Sequence, residues 1–499
     1  MEQKTDNKQS YKGIFKATSL FGGLQFYQIL ISVIKSKFVA VLLGPLGIGV
    51  QGLLTSATDL IKQVTALGIS QSAVRDVSEA YASGDSHRVS LTVTILRRVV
   101  WLTGLLGMLT VMVLSPYLSL TTFGNYDYTF PFIFLSVTLL IEQLCAGQKV
   151  ILQGMRRLKD LAKASALGST LGLFISIPIY YLFRIDGIVP TLILNALISL
   201  LLSWYFSRKI DLQSVNVSTK HTFTECKSML RMGVAMSISG IMLTATAYIL
   251  RSFIRGCGGT EDVGLFQAGF VILNTYVGLI FSAMATDYYP RLAAVNKDNI
   301  KCFEVVSQQG EIAVLIMAPM LSVCTVFMPL VLTILYSTEF LLANDYILLA
   351  TVGMMFKLAS WLISYMIVAK AESRLFITCE ITANIYSLLF NVIGYKLWGL
   401  SGLGLAFTFN YFIYFLQVYL IARKKYNLKL SKSFIRYFSL FSLLIVANVV
   451  MSKFIYGWLY YLIGIIVIVI ISTISLIGMN RRLDIKSFVI NRYGKTQKF

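Results

Sequence analysis

Apolar residues run along this chain in long unbroken stretches, separated by short polar breaks that carry most of the charge. A membrane-spanning helix needs about 20 mostly apolar residues. Fourteen runs reach that length: 15–43, 46–68, 92–115, 129–151, 162–183, 187–207, 229–250, 263–284, 311–336, 344–368, 374–397, 400–422, 435–453 and 456–478. The pattern predicts an all-α, polytopic membrane protein. Three stretches between the runs are long and polar: 69–91, 208–228 and 287–310. Within them Val74 to Tyr81 and Arg291 to Val306 carry the alternation of an amphipathic surface helix.

Composition sharpens this. The 499 residues are 56% hydrophobic and 13% charged, with a mean hydropathy of +0.73. Soluble domains carry about 25% charged residues, so a soluble enzyme, a disordered chain and a fibrous repeat are excluded. The net charge of +21 is spread in short clusters between apolar runs, which marks membrane topology and not a nucleic-acid surface. With the N-terminus placed in the cytoplasm, thirty-four basic residues fall in inner segments and five in outer ones. Both termini are therefore expected to be cytoplasmic. The first apolar run is long enough to span and stay, so it reads as a helix and not as a removed signal.

Chemistry is sparse. The six cysteines form no C-x-x-C pair, and the two histidines, His87 and His221, lie in polar loops. No metal site, disulfide framework or phosphate-binding G-x-x-x-x-G-K-[ST] loop is present. No outer loop exceeds about a dozen residues, too little for a membrane glycosyltransferase or polymerase. No enzyme and no cofactor is expected. The twelve-helix facilitator loop signature is missing as well.

Polar residues inside the spans are the informative ones. The first span carries Thr18, Gln25, Gln28, Ser32 and Lys35 on one helix face, and Lys37 nearby. The second carries Gln51, Thr55, Thr58, Asp59, Lys62 and Thr65, with Asp59 and Lys62 spaced to pair at i, i+3. The seventh carries Ser237, Thr244, Tyr248, Arg251 and Arg255, and the eighth Gln267, Asn274 and Ser282. Amides and ammonium groups are costly in hydrocarbon, so these stripes predict a shared, wet, cationic lumen. Gln25, Gln28, Lys35, Lys37, Gln51, Lys62, Arg251, Arg255 and Asn274 are the candidate binding residues. Asp59, Glu142 and Lys357 are candidates for ion coupling or gating.

A weak internal repeat supports that geometry. Phe38, Gly44 and Gly49 match Phe253, Gly259 and Gly264 at a common offset of 215, where a seventh helix would restart a six-helix unit. An even number of spans relates the two units by an axis along the membrane normal. The expected organisation is a cytoplasmic tail at 1–14, six-helix bundles at 15–215 and 216–428, two appended helices in 429–479 and a basic tail at 480–499.

The stretch TSLFGGLQFYQILISVIKSKFVAVLLGPLGIGVQGLL, with the later SGLGLA from Ser401, resembles the Wzx-type O-antigen translocases, flippases of the multidrug/oligosaccharidyl-lipid/polysaccharide (MOP) superfamily. The resemblance implies a protein of the bacterial inner membrane. It implies transport of an undecaprenyl-diphosphate-linked oligosaccharide from the inner to the outer leaflet by alternating access. The prenyl tail would stay in the bilayer, and the diphosphate would rest on Lys35, Lys37, Arg251 and Arg255. It further implies H+ or Na+ as a coupling ion and O-antigen polymerase machinery as a partner. The alternative within the same superfamily is a cation-coupled multidrug exporter. Cationic drugs want an acidic cavity, and the first span offers lysine and no carboxylate.

Overall fold

Long apolar runs with their backbone donors and acceptors shielded from water can only close hydrogen bonds on themselves, and helices do this. In the computed structural model every described element is helical. It describes residues 2–211, 219–455 and 457–483, with side chains from 23 onward except at 71, 219–232, 235–236, 286, 373 and 483. The side chains of Lys4, Lys8, Lys12, Lys16, Thr18, Lys220, His221, Cys226, Lys227, Arg231, Lys486, Arg492, Lys495 and Lys498 lie outside the described residues.

The helices are α1 (Glu2–Thr65), α2 (Ile69–Ala82), α3 (Ser86–Phe123), α4 (Thr129–Gly154), α5 (Leu158–Phe183), α6 (Ile188–Ser207) and α7 (Thr219–Gly258). They continue with α8 (Thr260–Val271), α9 (Leu279–Ala294), α10 (Asn299–Leu335), α11 (Asn344–Ala369), α12 (Ser373–Tyr426), α13 (Lys432–Phe454) and α14 (Trp458–Leu483). Among the described residues, eleven helical stretches are long and apolar enough to cross a membrane, which makes this a multi-pass membrane protein. Three of them, Gly23–Thr65, Leu158–Ser207 and Arg374–Tyr426, run to 43, 50 and 53 residues. Each is interrupted inside: at Gly44, at a 3₁₀ turn over Arg184–Gly187, and at Trp398 and Gly399. The two arms of α12 meet so closely that Gly394 and Gly402 touch backbone to backbone.

The chain forms two compact units, Met1–Gly264 with Leu335–Ser337, and Leu265–Ile334 with Thr338–Phe499. In the first, α4 packs between α3 and α6, α5 pairs with α6, and α1 lies against α5 and α7. Helix α2 buries the face carrying Ile69, Ala73 and Val77, spaced four apart, against Val93, Leu96, Val100 and Ile151. That is the separate amphipathic helix expected around Val74 to Tyr81. In the second unit α11 is mostly apolar apart from Lys357 and a few hydroxyls and is the most enclosed of the candidate spans, with α12 packed along it.

The expected surface helix from Arg291 to Val306 does not form as one piece. Helix α9 ends at Ala294 and α10 begins at Asn299. The cause is Asp298, whose Oδ1 accepts from the backbone N–H groups of Ile300 at 2.9 Å and Lys301 at 3.1 Å, starting a new helix. The Lys301 amide foremost holds the Asp298 carboxyl below its ordinary pKa. Asp85 caps α3 in the same manner, accepting from His87 at 2.8 Å.

The repeat has a counterpart in backbone geometry. Gly44 and Gly259 both take the left-handed conformation, with φ of 64° and 90°, and each breaks a helix at the matched position. Only glycine adopts that conformation without strain. Five residues further on, a Cβ at Gly49 would collide with the carbonyl of Thr260, and a Cβ at Gly264 with the carbonyl of Pro45. The contact is reciprocal, since Thr260 and Pro45 are themselves matched at offset 215.

Candidate functional site

Gln28, Ser32 and Lys35 lie four and three residues apart, so one face of α1 presents all three. That face opens on a cavity of about 290 Å³ inside the first unit, completed by Lys149 of α4, by α5 and by Asn195 and Ser199 of α6. Space for it comes from α5, which supplies Ala164, Ser165, Gly168, Ser169 and Gly172, all small. No carboxylate lines the cavity. Among the described residues neither Lys35 nor Lys149 has a carboxylate partner. Asn195 donates to Ser176 Oγ at 3.2 Å, and its own Oδ1 is buried without a hydrogen bond. Beside the cavity, Tyr27 and Thr170 share a hydroxyl hydrogen bond of 2.6 Å.

Two lysines in a polar chamber whose lining holds no carboxylate have the chemistry to attract an anion. Lysine ammonium groups act there as compact point charges with three rotatable donors, and the surrounding hydroxyls and amides can complete the solvation of a polar ligand. Lys149 was not singled out for this site by the sequence, where a lysine near a helix end reads as snorkelling. A signal was available. Glu142 and Lys149 are seven residues apart on α4 and therefore share a face.

Glu142 uses that face for a second polar centre. Lys62 Nζ donates to Asp59 Oδ1 and to Glu142 Oε2, each at 2.8 Å. The side chains are 34%, 50% and 45% exposed, so the triad is partly accessible and not sealed in the core. It joins α1 to α4 and holds one positive against two negative groups.

The remaining candidates lie apart from the cavity lining. Lys37 donates to the Tyr336 carbonyl at 2.6 Å. Arg251 is buried and donates to the Ala247 carbonyl at 3.1 Å. Arg255 lays its guanidinium over Gly124, and Tyr248 bonds Thr121 at 2.9 Å and Thr122 at 3.0 Å. Gln25 is exposed and Gln51 half-buried.

In the second unit Lys357 donates to Asn274 Oδ1 at 2.6 Å. Its ammonium sits 5.2 Å from the Tyr411 ring centre, 5.7 Å from Phe281 and 5.9 Å from Phe407. Asn274 belongs to a π turn over Ile272–Tyr276, a helix irregularity that concentrates at functional sites. Trp361 and Tyr365, aromatic side chains that could serve a sugar, pack tilted against one another at 4.7 Å; Tyr288 lies tilted against Trp361 at 5.4 Å and stacked on Tyr365 at 6.1 Å.

Known proteins place this architecture. The model of a family described as polysaccharide biosynthesis protein matches residues 38–345. A curated relative, the lipid III flippase of Escherichia coli strain K12, is 22% identical over 393 residues, covering 77% of this chain and 92% of its own length. Among solved structures, the lipid II flippase MurJ in an inward closed conformation superposes with a TM-score of 0.65 at 13% identity, over 94% of this chain and 99% of its own. An inward-facing multidrug resistance MATE family transporter of the MOP superfamily gives 0.63 at 16% identity, over 80% of this chain and 94% of its own. At such identities the two structures speak for the fold alone, a polytopic all-α fold that this chain shares with them.

Proposed function

Because the chain belongs to the polysaccharide biosynthesis protein family, we propose that it is a flippase for lipid-linked glycans, carrying an undecaprenyl-diphosphate-linked oligosaccharide across the inner membrane. The observation that carries this reading is the carboxylate-free cavity with Lys35 and Lys149. A diphosphate entering hydrocarbon unaided loses its hydration at prohibitive cost. Two ammonium groups, Gln28 and the α5 hydroxyls replace that hydration, while the prenyl tail stays in lipid. Similarity to the E. coli lipid III flippase supports a lipid-linked substrate of this class.

Orientation and mechanism follow as part of the proposal. Both termini face the cytoplasm, by the excess of inner Lys and Arg. Reading each interrupted stretch as two spans gives the fourteen expected from the sequence. Access alternates between leaflets. Arg251 and Arg255 take the substrate near the outer end of α7; Lys37, Gln25 and Gln51 of the first unit and Asn274 of the second are further binding residues. The Asp59–Lys62–Glu142 triad and Lys357 are the coupling or gating groups, with H+ or Na+ as the ion. O-antigen polymerase machinery would receive the product. A multidrug exporter would hold its cationic substrates on a carboxylate, and this cavity offers none.

The test is transport of a fluorescent polyprenyl-diphosphate disaccharide in proteoliposomes. Each charge-assisted hydrogen bond contributes about 1.5–3 kcal/mol, so Lys35→Gln and Lys149→Gln are each expected to slow transport by roughly tenfold or more. Wild-type rates in both variants at equal protein level would overturn the site.

A further inference from the structure

The cavity described above is not the only basic recess. A larger groove, about 610 Å³, runs over α4 between α3 and α6 in the first unit, beside the exposed side chains of Trp101, Leu201 and Trp204. Its walls are the first half of α3 and the last turns of α6, and its floor is α4 at Leu144 and Gly147. At one end stand Arg97 and Arg208, each beside a tryptophan, Trp101 and Trp204. The two indoles are 54% and 45% exposed, far more than packing residues of that size. Arg208 stacks its guanidinium 5.2 Å above Trp204, which fixes its donor fork. No carboxylate lines the groove, and among the described residues neither arginine has an acidic partner.

An apolar trough, two tryptophans at one level and two arginines without counter-ions at the same end match one amphiphile. Tryptophans mark the headgroup depth of a bilayer. Arginine forks bind phosphate oxygens bidentately. We propose that this groove is a site for an anionic phospholipid of the cytoplasmic leaflet, its phosphate between Arg97 and Arg208 and an acyl chain along Leu144 and Gly147. The leaflet rests on the orientation proposed above; the site itself does not. The lipid fills the seam between α3 and α6, so it acts as a structural lipid of the first unit and is distinct from the transported one.

Native mass spectrometry of the purified full chain tests this, with phosphatidylglycerol and phosphatidylcholine offered together. The wild type is expected to retain phosphatidylglycerol with about a tenfold preference, equivalent to 1.4 kcal/mol. The double variant R97Q/R208Q is expected to lose one bound phosphatidylglycerol, and Lys35→Gln to keep it while transport falls. R97K/R208K, which keeps the charge and loses the fork, should bind with intermediate occupancy. Equal retention of both lipids by the wild type, or unchanged occupancy in R97Q/R208Q, would refute the site. Displacement of phosphatidylglycerol by added undecaprenyl phosphate, one for one, would give the groove to the transport substrate instead and equally overturn the proposal.

Discussion

At the scale of single residues the decisive fact is which charges are matched. Lys62 satisfies two carboxylates, whereas Lys35 and Lys149 meet none in their chamber. Because the triad is about half exposed, each of its ion pairs is worth about 1 kcal/mol or less. Lys62→Met removes both at once and sets two like charges facing one another, while Glu142→Gln leaves the Asp59 pair intact. Thermal melting of the purified protein is therefore expected to fall further for Lys62→Met than for Glu142→Gln; equal shifts would mean that the three do not act together. The sequence made the Asp59–Lys62 pair legible through its spacing of three. It could not make Glu142 legible as their partner, because 80 residues separate it from Lys62 and only the packing of α4 on α1 closes that distance. Lys149 was obscured by the same gap, since a lone lysine near a helix end has a cheaper explanation than a binding site.

Elements were easier to read than contacts. Apolar length alone marked the helical runs, and the structure places the interruptions between paired runs at Gly44, at Arg184–Gly187 and at Trp398 and Gly399. The misreading at 291–306 came from following amphipathic spacing across an N-cap, since Asp298 stops one helix and starts the next. The Asp298 carboxyl is held below its ordinary pKa, so its support for the start of α10 is present above the unfolded-state value of about 3.9 and disappears as pH falls through the lowered native one. Hydrogen exchange at residues 299–302 should accelerate with acidification beyond the intrinsic rate in the wild type. In Asp298→Asn, which caps without titrating, that excess should vanish. Glycine placement gives a second check. Gly49→Ala and Gly264→Ala push a methyl group into backbone that cannot move aside, an overpacking cost of about 1–3 kcal/mol. Gly256→Ala, which meets nothing within 4 Å, should leave folded yield unchanged. Comparable losses for all three would show that the close approach is unimportant.

For the whole molecule, charge would set the direction of the proposed transport. An anionic substrate moving outward runs with an inside-negative potential, which supplies about 2.3 kcal/mol per charge per 100 mV if the protein's own charges stay in place. Flipping in proteoliposomes should accelerate when a potassium diffusion potential makes the donor side negative, and slow when the gradient is reversed. Indifference to the potential under both polarities would leave proton or sodium exchange as the driver. The class of the molecule was evident from hydropathy and charge density alone. The reach of the proposed binding chamber was not, because small residues on α5 read equally well as helix-packing residues and only the folded helices reveal the space they leave.

The crossed glycines at 49 and 264 carry a historical implication. Each meets the carbonyl matched to the one beside the other, which is the signature of a two-fold interface, where patch i touches j and j touches i. A half-length ancestor pairing with its own twin would have met both demands with one residue. In a chain built from two such copies, that single requirement becomes two, written at separate places in the sequence. Neither copy can now drift at that point without striking the main chain of its sibling.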